Sequence, residues 1–255
     1  MNIIKAYINY RIRSKFRHRL HSPFVYSLQD KGMKQKMNRD FKKKLKSFAN
    51  YLKKNKTLIE ITDFGAGSKK LGNIRTISQI YRTASCGKKY GKLLFAVTAH
   101  TQPAQILELG TNLGLGTVMM AEANSKAKIT TVEGCKQTAE QAEKTFTFFK
   151  KQNQIKLVNA QFLDFLKSDN TLYDLIFIDG DHRSASLKSQ LNELQKNIHS
   201  ETLIILDDIR WNKDMFDAWK QIYTQERYHL ALDYFRMGII AKRSRQVKEH
   251  FTLRF

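Results

Sequence analysis

The chain is poor in cysteine and proline, with two of each in 255 residues. Cys86 and Cys135 stand far apart without metal-ligand spacing, which argues against a disulfide framework or a zinc cluster. They read as reduced thiols, and the expected location is cytoplasmic. Pro23 and Pro103 leave no proline-rich linker. Long hydrophobic runs are lacking too: no stretch approaches the roughly 20 apolar residues that cross a bilayer. The opening MNIIKAYINYRIRSKF is basic but lacks the apolar segment and small-residue cleavage site of a secretory signal. Acids are scarce in one region only. Residues 1–92 hold 24 Lys and Arg against four acids, whereas residues 93–255 hold 21 against 19. The asymmetry points to an anionic partner of residues 1–92, either a nucleic acid or a membrane surface. The alternatives are a solvated lysine-rich surface and a basic arm that serves a homodimer.

What is present is enough apolar residue, 42%, for a packed core. From about residue 93, short apolar runs alternate with amphipathic stretches. The runs are Ile106–Leu109, Ile129–Val132, Ile155–Val158, Leu175–Ile178 and Leu203–Leu206. Strands this apolar are covered on both faces, so the pattern predicts an α/β fold built on a mostly parallel sheet. Two further strands, His229–Tyr234 and Gly238–Lys242, follow without a helix between them and read as a hairpin. The expectation is a Rossmann-like, seven-stranded sheet with the last strand antiparallel and helices on both faces.

Residues 1–88 lack this alternation and read as a basic, mainly helical appendage to a domain spanning 89–255. Ile3, Ile4, Tyr7 and Ile8 share one helical face, and Leu71, Ile74, Ile77, Ile80 and Tyr81 recur at helical spacing. The lysine-rich stretch 31–56 is expected to be an exposed helix.

Chemistry concentrates in Glu108-Leu-Gly110-Thr111-Asn112-Leu-Gly114-Leu-Gly116-Thr117. A strand ends at Gly110, a glycine-rich turn follows, and a helix starts near Thr117. Such a turn lets a nucleotide-like ligand approach a helix N-terminus. Glu133 ends the next strand, where a carboxylate can accept the ribose hydroxyls.

The E-L-G-T-N-L-G-L-G-T run resembles the first motif of class I S-adenosylmethionine-dependent methyltransferases. The segment Asp174-Leu-Ile-Phe-Ile-Asp179-Gly-Asp181-His182 resembles the D-x-x-F-I-D segment of the catechol and caffeoyl-CoA type of O-methyltransferases. Leu203-Ile-Ile-Leu-Asp207-Asp208-Ile-Arg-Trp211 resembles their D-N-x-x-W segment. The resemblance implies S-adenosylmethionine as cofactor, held by Glu108, Gly110, Thr111, Asn112, Gly114, Gly116, Thr117, Glu133, Gly134, Ala160, Gln161 and Asp179. It also implies a divalent cation, Mg²⁺, on Asp179, Asp207 and Asp208, although Asp208 stands where asparagine is usual. Where the family places a lysine base this sequence has His182, a residue type that titrates near neutrality. His182 and Asp179 are therefore the candidate catalytic residues. The implied reaction is methyl transfer to an oxygen of a small or conjugated acceptor.

Two other readings stand beside it. The basic third could track a phosphate backbone in a nucleic-acid methyltransferase. No N/D-P-P-Y-type tetrapeptide, typical of base-nitrogen methylation, ends the fourth strand. The third reading is a non-catalytic module that binds nucleoside or membrane. Asp63-Phe64-Gly65-Ala66-Gly67-Ser68 looks like a second glycine motif, yet no acid-ended strand follows it. It reads as a turn with Ser68 capping a helix, or as part of a substrate lid. The cluster from Arg17 to Tyr26 reads as a packing knot or as a substrate or nucleic-acid contact.

Overall fold

The computed structural model describes residues 2–15, 20–62, 73–84, 88–243 and 246–255. The basic third forms α1 (Ile3–Arg13), α2 (Pro23–Asp30), α3 (Arg39–Lys54), a hairpin of β1 (Leu58–Glu60) and β2 (Ile74–Thr76), and α4 (Ile77–Ala84). Local chemistry sets the helix starts. The Asn2 side chain accepts from the amides of Ile4 and Lys5, that of Asn38 from the amide of Asp40, and Pro23 opens α2. The alternating region follows as α5 (Lys88–Thr101), β3 (Gln105–Leu109), α6 (Leu115–Ala123), β4 (Lys128–Glu133), α7 (Lys136–Phe149) and β5 (Ile155–Asn159). It continues with α8 (Phe162–Ser168), β6 (Tyr173–Ile178), α9 (Ser184–Glu193), β7 (Ile198–Leu206) and α10 (Lys213–Tyr223). The chain ends with β8 (Leu230–Tyr234), β9 (Met237–Ala241) and β10 (Glu249–Thr252).

The large sheet has the order β10-β8-β9-β7-β6-β3-β4-β5, and only β9 runs antiparallel to its neighbours. All seven expected strands are in place, with the antiparallel one last among them. The eighth, β10, adds in parallel to β8. It carries no apolar run, since only Phe251 of its four residues is buried, and backbone pairing alone places it there.

Residues alternate between two cores along each central strand. Leu107, Leu109, Ile176, Ile178 and Ile204 face Leu187 and Leu191 of α9 and Trp219 and Ile222 of α10. Ile106, Leu175, Phe177 and Ile205 face Leu94 of α5, Val118 of α6 and Phe146 of α7. The N-terminal helices extend this second core through Val25, Leu28, Phe41, Phe48, Leu52, Ile77 and Ile80. The basic third therefore shares its apolar interior with the sheet, and α3 buries one face while its lysines stay outside.

One expectation is corrected: Ile74 lies on exposed β2 and not on the following helix. Ile3, Ile4, Tyr7 and Ile8 lie on α1 as expected, where they are exposed and Tyr10 is the buried residue. The Asp63–Ser68 motif, Leu71, Cys86 and residues 16–19 of the Arg17–Tyr26 cluster lie outside the described residues. Among the described residues, no helix is long and apolar enough to cross a membrane.

Candidate active site

The carboxyl ends of the central strands finish abreast. Gly110 donates its amide to Val132 O, Asp179 to Leu109 O and Asp207 to Ile178 O, at 2.9, 2.8 and 2.9 Å. Strand order reverses at β3, which lies between β4 and β6, so the loops leaving β3 and β6 diverge to opposite faces and open a crevice. The backbone there is tight. Gly110 has φ 104°, and a Cβ on it would lie 2.0 Å from Asp179 O. Gly114, at φ 75°, caps α6, and a Cβ there would strike the Phe146 ring at 2.6 Å. Only glycine fits either position.

Glu133 projects from the end of β4 beside this loop. Its Oε2 accepts from the Asn112 amide at 2.9 Å and its Oε1 from the Cys135 amide at 3.0 Å. Burial pushes its pKa up, and these amides, with that of Gly134, pull against the shift. The Asn159 side chain donates to the carbonyls of Glu133 and Gly134 at 2.7 and 3.1 Å, and the Ala160 amide reaches Glu133 O. Gly134 and Ala160 are thereby brought beside Glu133, while Gln161 lies exposed at the start of α8.

The side chains of three expected cofactor residues are enclosed. Glu108 is only 1% exposed and lies beneath the glycine loop. Its Oε2 accepts from the hydroxyls of Thr117, at 2.5 Å, and Thr131, at 2.6 Å. Thr111 is buried against Thr131, with the two hydroxyls 2.6 Å apart. Burial raises the Glu108 pKa to about 7. Through these contacts the Glu108, Thr111 and Thr117 side chains brace the loop.

Across the crevice stand the acids. Asp179, at the end of β6, is raised well above the usual carboxylate range by burial and by repulsion from Asp207 and Asp208. Asp208 is pushed up to about 6 by burial and Asp207, against the pull of Arg236 and His182. His182 Nε2 lies 3.5 Å from Asp208 Oδ2, and its ring lies 5.1 Å from the Trp211 ring. Asp208 and Asp181 both adopt positive φ, at 50° and 52°, and Asp181 is held by the Arg183 guanidinium at 2.5 Å.

Sequence reasoning missed two contributors. Arg236, in the turn between β8 and β9, reaches Asp207 with Nε and Nη2 at 2.9 and 2.6 Å and Asp208 Oδ1 with Nε at 2.9 Å. Tyr90 of α5 lies under that guanidinium, 5.6 Å from Cζ to ring centroid, and accepts from the Arg236 amide at 3.3 Å. The only signal for a cation here was the extra charge of Asp208 in place of asparagine. The second omission is the docking of β1 on the turn after Glu133. Gln137 Oε1 accepts from the Glu60 amide at 2.7 Å, and Cys135 Sγ lies 3.4 Å from Glu60 O.

Comparison with known proteins fits this geometry. Residues 107–209 match a family described as a methyltransferase domain. The matched stretch contains the glycine loop, Glu133, Asp179, Asp207 and Asp208 that line the crevice. One relative is a tRNA1(Val) (adenine(37)-N6)-methyltransferase of Cytophaga hutchinsonii, 28% identical over 61% of this chain and 67% of that protein. Another is the O-methyltransferase hkm8 of Aspergillus hancockii, 28% identical over 46% of this chain and 49% of its own length. Among solved structures, an O-methyltransferase from Bacillus cereus in complex with S-adenosylhomocysteine superposes with TM-score 0.54. It is 21% identical and covers 63% of this chain and 84% of its own. The S-adenosylhomocysteine-bound methyltransferase PaMTH1 of Podospora anserina gives TM-score 0.56 at 14% identity, covering 82% of this chain and 97% of its own. At these identities the solved structures show a shared fold.

The crevice has residues suited to a nucleoside cofactor: a loop open at a strand switch and a strand-end carboxylate that, among the described residues, accepts from backbone amides. The divalent cation is another matter. A hard cation needs several anionic oxygens with open directions. Here both oxygens of fully buried Asp207 lie on Arg236, and Asp208 is shared between Arg236 and His182. Among the described residues, no group of three or more His, Cys, Asp or Glu side chains is arranged to hold a metal. The three-aspartate metal site expected from the sequence does not fit this arrangement.

Proposed function

We propose that the protein transfers a methyl group from S-adenosylmethionine to an oxygen of a small or conjugated acceptor. The observation that carries this reading is the pairing of Glu133, at the strand end beside the glycine loop, with the Asp179–Asp208–His182 cluster across the same crevice. Glu133 and the backbone from Gly110 to Asn112 bind the nucleoside, and Gly134 and Ala160 border it. Bound there, the sulfonium supplies the methyl carbon: the acceptor oxygen forms the new C–O bond as the C–S electron pair returns to sulfur. His182 takes the acceptor proton, with Asp208 orienting its ring. The packed loops hold acceptor and cofactor in line, so positioning supplies much of the rate.

A titration with S-adenosylhomocysteine tests the cofactor half. Micromolar binding is expected, lost in Glu133→Ala and weakened in Glu133→Gln. Absence of binding to the wild-type chain would refute the reading. Labelled methyl transfer to a panel of hydroxyl acceptors, reduced in His182→Ala, tests the acceptor half.

A second reading is favoured by one observation, the similarity to a tRNA adenine methyltransferase together with the basic third. Label entering tRNA and not the hydroxyl panel would decide for it.

A further inference from the structure

The turn from β8 to β9 puts a fixed positive charge where the O-methyltransferase resemblance puts a divalent cation. Arg236 spends Nε and Nη2 on both oxygens of Asp207 and on Asp208. Planar guanidinium against carboxylate is the strongest form of this contact, and a metal ion must displace it to reach the same oxygens. A guanidinium stays charged across the whole working pH range, so the pairing is permanent. The group is clamped as well as paired. Tyr90 lies beneath it, Phe235 beside it packs on Tyr7 and Tyr10 of α1, and Asp233 accepts from the Phe235 amide at 2.8 Å. No partner is described for Nη1 among the described residues, and the side chain is 29% exposed.

We propose that Arg236 is the resident counter-ion of the acceptor site, replacing the divalent cation and offering Nη1 to the acceptor oxygen. This inference rests on the methyl-transfer reading for what the site does, but not for which cation it holds. The charge balance narrows the acceptor. Asp207 and Asp208 together outweigh one guanidinium, so the pocket favours a neutral hydroxyl over an anion. A guanidinium edge donates hydrogen bonds to one oxygen and has no open coordination positions to chelate two. The acceptor class is therefore a lone hydroxyl, not a vicinal diol requiring a metal chelate. Arg236 acts here as a positioning residue: it neutralises the acids and orients the oxygen, while His182 takes the proton.

Mn²⁺ binding followed by electron paramagnetic resonance tests this on the full chain, with S-adenosylhomocysteine titration of the same samples as an independent control. The wild type is expected to take up no Mn²⁺ at micromolar concentrations, and its methyl transfer to be unchanged by EDTA. Arg236→Gln should gain one bound Mn²⁺ per chain, lost again when Asp208→Asn is added, whereas Arg236→Lys should exclude the metal as the wild type does. Stoichiometric Mn²⁺ on the wild type, or EDTA inhibition reversed by Mg²⁺, would overturn the proposal. So would a folded Arg236→Gln that binds S-adenosylhomocysteine and no more Mn²⁺ than the wild type. The two wild-type measurements stand even if the glutamine variant fails to fold. Failure of wild-type S-adenosylhomocysteine binding would count against the methyltransferase reading and not against the assignment of the counter-ion.

Discussion

Glu108 is a carboxyl outside the acid cluster whose titration burial controls. Its carboxyl is enclosed beneath the glycine loop, and burial raises its pKa from 4.5 to about 7 against two hydroxyl hydrogen bonds. The folded state therefore holds a proton that the unfolded chain releases at lower pH. This contribution to stability is fully present below pH 4.5, falls as pH rises toward 7, and is lost above it. The full difference is on the order of 3 kcal/mol, at about 1.4 kcal/mol per unit. A glutamine keeps the acceptor oxygen and has nothing to ionise. Glu108→Gln is expected to gain stability relative to wild type between pH 5 and pH 8, by about 2–3 kcal/mol. Urea unfolding of both proteins at the two pH values measures it; a difference independent of pH would mean that burial does not shift this group.

Around the same crevice, whole elements are held by a few polar contacts. The β8–β9 turn rests on the pair of Arg210, in the loop after β7, and Asp233 of β8, with side chains 8% and 5% exposed and Nη2 2.6 Å from Oδ2. Arg210 also donates to Phe235 O at 2.6 Å and lies against the Phe216 and Phe235 rings. Phe235 has φ 74°, which a non-glycine residue adopts only when its surroundings impose it. Removing one partner of a buried pair leaves the other charge uncompensated. Asp233→Ala should cost about 3–5 kcal/mol in urea unfolding, and Asp233→Ala with Arg210→Met should cost less. An equal or larger loss in the double variant would show that packing, not charge, holds the turn. Loosening this turn should also free Arg236, so Asp233→Ala should take up more Mn²⁺ than wild type.

This is also the scale at which the sequence was most and least informative. Strands β3, β4, β5, β6 and β7 were legible because burial on both faces demands unbroken apolar runs. The strand β7 begins earlier than its run, at Ile198, because His199, Ser200 and Glu201 extend it toward solvent. The last strand, β10, was illegible because Glu249, His250 and Thr252 carry no strand pattern and their pairing with β8 is non-local. The strand ends of the site were readable from Gly110, Glu133, Asp179 and Asp207, whose positions follow from strand register. Arg236 was not, since a turn residue meets Asp207 only after seven strands are in order. The burial of Glu108 and Thr117 was hidden for a related reason: a motif fixes spacing along the chain, but the depth of each side chain depends on what packs above it.

Taken as a whole, the molecule separates its charge from its chemistry. The lysines of α3, including Lys42, Lys43, Lys46 and Lys53, lie on its outer face, while Phe41, Phe48 and Leu52 pack inward toward Phe149 of α7. None of these lysines is paired with the acids of the crevice. Under the oxygen-acceptor reading this surface attracts polyanions through charge alone. RNA binding should then weaken linearly in log salt, with a slope of roughly one per phosphate contact. Lys42→Glu combined with Lys43→Glu and Lys46→Glu should flatten that slope while leaving S-adenosylhomocysteine affinity and methyl transfer to hydroxyl acceptors unchanged. Filter binding across a salt series, run beside the transfer assay, makes the comparison. Methyl transfer that falls in step with RNA affinity would tie the basic surface to the acceptor and favour a nucleic-acid substrate. Independence of the two would leave the basic third as a surface that shares the domain's core without selecting what is methylated.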